Sequence, residues 1–210
     1  MTGIIHIVDD DALFRKAVAR LLRASGYQVA LYESGDGLLA HPPEGGPGCI
    51  LLDLRMAGLG GLELQDRLVA SGHALPIIFL TGHGDIPASV RAIKAGAEDF
   101  LSKPASKEIL LGAVRRALAR CEKAQADRRR LDGLRALVAT LTPREHEVFN
   151  LVVRGKLNKQ IAYDLGTAER TVKAHRHCIM QKLQVRSVAE ATSMAERLGV
   201  FTDAGERDTK

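Results

Sequence analysis

Five side chains of chemically useful type stand at the ends of short apolar runs in this 210-residue chain: Asp9 and Asp10 after residues 4–8, Asp53 after 49–52, Thr81 after 77–80 and Lys103 after 100–101. Carboxylates gathered at one sheet edge repel one another. A hard divalent cation such as Mg2+, with Mn2+ able to take its place, relieves that repulsion through oxygen ligands while keeping several waters. An aspartate ending a strand beside such a cation is set to take up a phosphoryl group. A hydroxyl and an ammonium at the ends of the next two strands can then meet the equatorial phosphoryl oxygens, and Thr81 and Lys103 are of those types.

Singly, each of these residues has an ordinary explanation. Acids after strands cap helices, a threonine after a strand begins a turn, and a lysine before proline is usually solvated. Their joint occurrence, one group at the end of each successive strand in order, favours a site.

The elements that must position them alternate. Apolar runs at 4–8, 29–32, 49–52, 77–80 and 100–101 read as strands. Amphipathic stretches at 12–24, 37–41, 62–70 and 88–95, and one starting near Ser106, read as helices, several closed by Gly26, Gly72 or Gly96. Alternation of this kind predicts a doubly wound, flavodoxin-like α/β fold with a five-stranded parallel sheet and function at the carboxyl ends of its strands. After Pro104 the pattern stays helical. Leu110, Val114, Leu118 and Cys121 form an apolar stripe that fades by Ala124, and Asp132-Gly133 is the expected place for a kink or break. Residues 41–48 read as a surface loop.

Thr142-Pro-Arg-Glu145 is a capping box with proline at the first helical position, so a helix begins there. Gly155 ends it, Asn158 is placed to cap a second short helix, and Gly166 stops that one. A third helix, from about Ala168 to Leu183, sorts into two faces: Val172, Ile179 and Leu183 on one, Arg170, Lys173, Ala174, His177 and Gln181 on the other. Arg170, Lys173, Arg176 and Lys182 against Glu169 make it basic, suited to phosphates, with Lys173 and Gln181 able to reach base edges. The competing explanation is a solvated helix face.

Composition sets the bounds. The formal charge of +5 comes entirely from the second part, because residues 1–120 hold 13 Lys and Arg against 13 Asp and Glu and residues 121–210 hold 17 against 12. Only the second part is thereby suited to a polyanion. The cysteines, Cys49, Cys121 and Cys178, form no metal-type or disulfide-type spacing. With neither a leader nor an apolar stretch of spanning length, the expectation is a cytoplasmic protein without a membrane partner.

The segments His6-Ile-Val-Asp-Asp10, Leu52-Asp-Leu-Arg-Met56, Thr81-Gly-His-Gly-Asp85, Lys94-Ala-Gly-Ala97 and Lys103-Pro104 resemble the signatures of receiver domains over residues 3–120. Leu141-Thr-Pro-Arg-Glu145, Asn158-Lys-Gln-Ile-Ala162, Thr171-Val-Lys-Ala-His175 and Ile179-Met-Gln-Lys-Leu183 resemble a LuxR/NarL-type helix-turn-helix over 139–201. Together they resemble two-component response regulators of the NarL/FixJ type. That implies a receiver at 1–120, a helical linker at 121–139 and a small all-α DNA-binding domain at 140–210.

The resemblance further implies that Asp53 accepts the phosphoryl group of a sensor histidine kinase, and that Asp9, Asp10, Asp53 and the Arg55 backbone carbonyl hold Mg2+. Thr81 and Lys103 would bind the phosphoryl, and Phe100 would be the switch aromatic paired with Thr81. At the DNA, Lys173, Ala174 and His177 would lie toward the bases, and Asn158, Lys159 and Thr171 toward the backbone. The implied outcome is a homodimer formed on phosphorylation, bound to promoter DNA, with RNA polymerase as a candidate partner.

In the receiver, two positions depart from the family pattern: Ala57 stands where proline is usual, and Ala105 where an aromatic is. Ala168 stands in place of the common serine cap, which leaves Thr167 to cap or the first turn to fray. Rival readings are an aspartyl-phosphate phosphatase, which would want a second acid where Arg55 stands, and a DNA-binding regulator indifferent to phosphorylation.

Overall fold

The computed structural model describes residues 3–43, 46–82 and 86–200. The chain forms two compact units, Met1–Gln125 and Ala126–Lys210.

In the first unit, five parallel strands, β1 (Ile4–Val8), β2 (Gln28–Tyr32), β3 (Gly48–Asp53), β4 (Ile77–Thr81) and β5 (Asp99–Ser102), line up in the order β2-β1-β3-β4-β5. The order reverses between β1 and β3, so the carboxyl ends of these two strands open side by side onto a crevice. Helices α1 (Ala12–Ala24), α2 (Gly35–Ala40), α3 (Gly61–Ala70), α4 (Ile86–Lys94) and the first part of α5 (Lys107–Val138) cover the sheet. Ile5, Ile7, Leu51 and Ile78 pack on one face with Val18 and Leu22 of α1 and Val114 and Leu118 of α5. Val8, Ile50, Leu52 and Phe79 pack on the other with Leu38, Leu64 and Leu68.

The expected doubly wound sheet is therefore present, with boundaries displaced by one or two residues. Helix α2 starts at Gly35 rather than 37 because Ser34 Oγ accepts from the Gly37 amide at 3.1 Å and caps it. Helix α3 starts flush against β3: a Cβ at Gly61 would collide with the Asp53 carbonyl oxygen. Part of the loop expected at 41–48 lies outside the described residues, as do His83, Gly84 and Asp85 of the motif that follows β4.

One expectation fails in the linker. Helix α5 continues through Asp132-Gly133 to Val138. Leu134, Leu137 and Val138 pack against the core of the second unit, and this burial outweighs the cost of roughly 1 kcal/mol of a glycine within a helix.

The second unit carries α6 (Pro143–Val153), α7 (Asn158–Asp164), α8 (Glu169–Lys182) and α9 (Val188–Arg197) around Val148, Phe149, Ile161, Val172, Ile179 and Leu183. The capping box is formed as expected: Thr142 Oγ1 accepts from the Glu145 amide at 3.3 Å, and the Glu145 carboxylate accepts from the Thr142 amide at 2.7 Å. Two caps differ from expectation. Leu157, not Asn158, is the N-cap of α7, and Gln160 Oε1 accepts its amide at 2.8 Å. Ala168 caps α8 without a side-chain acceptor, Thr167 does not replace it, and the first turn nonetheless closes, with the Thr171 amide 2.9 Å from the Ala168 carbonyl oxygen.

Candidate functional site

At the crevice, β1 delivers Asp9 and Asp10 and β3 delivers Asp53, and one carboxylate oxygen from each lies within 4.8 Å of the others. Asp9 and Asp53 are buried, at 1% and 8% exposure, and Asp10 is exposed. Each is braced. Asp9 Oδ1 accepts from the Asp11 amide at 2.9 Å, and Asp10 Oδ2 accepts from the Ala57 amide at 3.0 Å. Burial raises the Asp53 carboxyl above its ordinary value, opposed by the Lys103 ammonium and by the Arg55 amide hydrogen bond. Lys103 Nζ lies 2.5 Å from Asp9 Oδ2 and 3.1 Å from Asp53 Oδ2.

Thr81, 2% exposed, ends β4 beside this cluster in the sheet order, and its carbonyl oxygen accepts from the Lys103 amide at 2.6 Å. Arg55 is exposed in the segment after β3. Phe100 is half-buried on β5 with its ring centroid 5.9 Å from that of Phe79. An all-oxygen set of three carboxylates, one open to solvent, fits a hard divalent cation.

Three groups add to the site beyond the side chains read from the sequence as functional. The Phe14 ring lies 4.2 Å from Lys103 Nζ and supports the ammonium through its π face. The Ala57 amide holds Asp10, a bond that proline, having no N–H, could not make. Arg15, 8% exposed, donates from one guanidinium nitrogen to the Asp9 carbonyl oxygen at 2.5 Å. Its signal was legible, since residues 15, 18, 19 and 22 form the buried stripe of α1 and a cation on such a stripe calls for a partner.

In the second unit, Arg170, Thr171, Lys173, Ala174, His177 and Gln181 are exposed on α8, opposite buried Val172, Ile179 and Leu183. Lys159 is exposed on α7 and Asn158 is half-buried. The other two cations of α8 face the domain. Arg176 Nη1 donates to Asn158 Oδ1 at 2.8 Å, and Lys182 Nζ donates to Glu145 Oε2 at 2.5 Å. The basic character expected of the whole helix is thus concentrated in Arg170 and Lys173, the latter 3.4 Å from Glu169.

Residues 5–115 match the family described as response regulator receiver domain, and residues 139–195 match that of bacterial regulatory proteins of the luxR family. The chain belongs to the two-component response regulators. It is 43% identical over 196 residues to response regulator protein TmoT of Ectopseudomonas mendocina, covering 93% of this chain and 89% of the relative. It is 39% identical over 191 residues to the transcriptional regulatory protein FixJ of Rhizobium meliloti (strain 1021), covering 91% and 94%. Among solved structures, that of response regulator StyR matches with a TM-score of 0.84 at 44% identity, covering 94% of this chain and 100% of that one.

The regulator therefore pairs a receiver with a LuxR-type DNA-binding domain and is a transcriptional regulator. A receiver implies a histidine kinase partner, and the second unit implies DNA. Among the described residues no helix is long and apolar enough to cross a membrane.

Proposed function

We propose that Asp53 is the phosphoacceptor, that its phosphorylation pairs two receivers, and that the paired α8 helices then bind promoter DNA in the cytoplasm, with RNA polymerase as the eventual partner. The observation that carries this reading is the placement of the Asp53 carboxylate: 3.1 Å from the Lys103 ammonium and within 4.8 Å of carboxylate oxygens of Asp9 and Asp10. An Asp53 oxygen attacks the phosphorus of a kinase phosphohistidine. The P–N bond breaks, its electron pair stays on the imidazole, and an acyl phosphate remains on Asp53. Asp9, Asp10, Asp53 and the Arg55 carbonyl would hold Mg2+, or Mn2+ in its place. The ion supplies the charge that lets an anionic nucleophile meet an anionic donor. Lys103 and the Thr81 hydroxyl then bind the phosphoryl oxygens, and Thr81 and Phe100 form the switch.

Pairing is supported by α4, which leaves Val90 and Ile93 47% and 48% exposed. Two tethered α8 helices gain effective concentration at a two-part site without a new base contact. Half-sites about 10–10.5 base pairs apart place them in successive major grooves. Lys173, Ala174, His177 and Gln181 face base edges; exposed Arg170, Thr171 and Lys159 and half-buried Asn158 approach the backbone.

The test is incubation with acetyl phosphate and Mg2+, mass-spectrometric location of the label, and sedimentation with DNA titration before and after. Label on Asp53, lost in Asp53→Asn, with a rise in association state and affinity, supports the reading. Substantial labelling of Asp53→Asn overturns the acceptor, and unchanged association and affinity leave a phosphorylation-independent DNA binder.

A further inference from the structure

We infer that Arg15 is a positioning residue for the divalent-cation site: its guanidinium fixes the Asp9 main chain so that the Asp9 and Asp10 carboxylates converge with that of Asp53. The inference rests on the reading of that cluster as a cation-dependent phosphoacceptor site. A guanidinium is seldom buried without a use, because desolvating a charge costs several kcal/mol unless it is paired and hydrogen-bonded. Here the pairing is slight. Among the described residues the nearest acid is Glu33, 3.6 Å away with its side chain 88% exposed. The short bond goes instead to the Asp9 carbonyl oxygen, at 2.5 Å.

That carbonyl belongs to the peptide joining Asp9 to Asp10, the hinge from which both carboxylates are aimed. The other side of Asp9 is held by β2, where the Tyr32 carbonyl accepts the Asp9 amide at 3.3 Å. Arg15 itself is anchored by helix geometry, since Asp11 caps α1 by accepting the amides of Leu13 and Phe14 at 2.8 and 3.1 Å, and the Arg15 amide bonds the Asp11 carbonyl at 2.9 Å. The Asp9–Asp10 hinge is thus clamped between a strand and a helix, and Arg15 is the clamp's side-chain member. Among the described residues Arg15 makes no hydrogen bond to a carboxylate of the cluster, so it acts on geometry. A group that aligns ligating side chains from behind in this way typically alters metal affinity tenfold or more when removed.

Two effects of removing the side chain have opposite signs: loss of a nearby positive charge favours cation binding, and loss of alignment opposes it. Two variants separate them. Arg15→Met keeps the stem and removes both charge and donors. Arg15→Lys keeps the charge and one donor able to reach the Asp9 carbonyl. Cation affinity of the full chain is read directly, by calorimetric titration with Mg2+ and by electron paramagnetic resonance of Mn2+, alongside thermal unfolding.

The expected result is affinity weakened about tenfold in Arg15→Met and largely restored in Arg15→Lys. Labelling of Asp53 should be recovered in Arg15→Met at correspondingly higher Mg2+. A lowered melting temperature with unchanged cation affinity, or tighter binding in Arg15→Met, would overturn the proposal. Failure of the unsubstituted protein to bind either ion would instead refute the cation-site reading on which it rests.

Discussion

The acidic crevice and the exposed face of α8 are built on opposite terms. Around the crevice, Asp9, Asp10, Asp53 and Lys103 are held by one another and by the amides of Asp11, Ala57 and Arg55, with two of the acids nearly inaccessible. On α8, Arg170, Lys173, His177 and Gln181 are exposed to solvent, with Lys173 paired to Glu169 one helical turn away. Group transfer needs atoms fixed before the reaction, because reorganising dipoles at the moment of transfer costs rate. A DNA-reading face needs reach and solvation, because its partner supplies the final geometry and much of the electrostatic attraction. The other two cations of α8 are held within the domain, Lys182 by an ion pair to Glu145 and Arg176 by a hydrogen bond to Asn158.

The largest expected effect concerns the crevice. Asp10→Ala, or excess chelator with the unsubstituted protein, should reduce labelling of Asp53 by acetyl phosphate about a hundredfold or more. Unimpaired labelling in chelator would remove the contrast by showing that no cation is needed. DNA affinity of the unphosphorylated protein should not change in Asp10→Ala, and fluorescence anisotropy measures it.

On α8, Lys173→Ala should lower affinity for a specific site by about 1–3 kcal/mol if the ammonium meets a base edge, with Asp53 labelling intact. A uniform loss across all sequences, with the salt slope reduced by about one, would assign Lys173 to a phosphate instead.

Acid should separate the two units. In the receiver, burial first and His73 second lower His6 to about 4, with Tyr32 Oη 3.2 Å from its Nδ1. An unfolded chain binds that proton near the ordinary histidine value of 6.5, so the contribution is present above pH 6.5 and is lost as pH falls toward 4. In the second unit, the Lys182 hydrogen bond first, then the Thr142 amide, lower Glu145 from 4.5 to about 2. Its contribution is intact above 4.5 and is lost between 4.5 and 2. Hydrogen exchange of the full chain against pH should therefore show the receiver weakening first, with His6→Gln flattening the upper step and Glu145→Gln the lower. Simultaneous weakening in both variants would show that other groups govern acid stability.

The smallest effect is at the cap. Thr142→Ala should destabilise the second unit by about 1 kcal/mol, read in urea, and should leave Asp53 labelling unchanged.

What was legible in the sequence is what repeats locally or is spelled by adjacent residues. Apolar runs of strand length between amphipathic stretches specified the sheet and its helices, and Thr142, Pro143 and Glu145 specified the start of α6, because capping needs only the next three residues. The candidate acids, hydroxyl and lysine were legible because a parallel sheet brings successive strand ends to one edge.

Other features depended on partners far along the chain. Asn158 was expected to cap α7, yet its oxygen accepts from Arg176, 18 residues away. Lys182 adds to the positive charge of α8 in sequence, yet it serves Glu145, 37 residues back. The glycine at 133 reads locally as a break, yet α5 runs through it, with Leu134, Leu137 and Val138 partly buried against the second unit's core and Arg135 paired with Asp132 across it. Local hydrogen bonding and periodicity are properties of neighbours in sequence, so the sequence alone determined them. The choice of partner for a long polar side chain depends on which acceptors the packed core brings within about 3 Å, and that was decided by the tertiary structure.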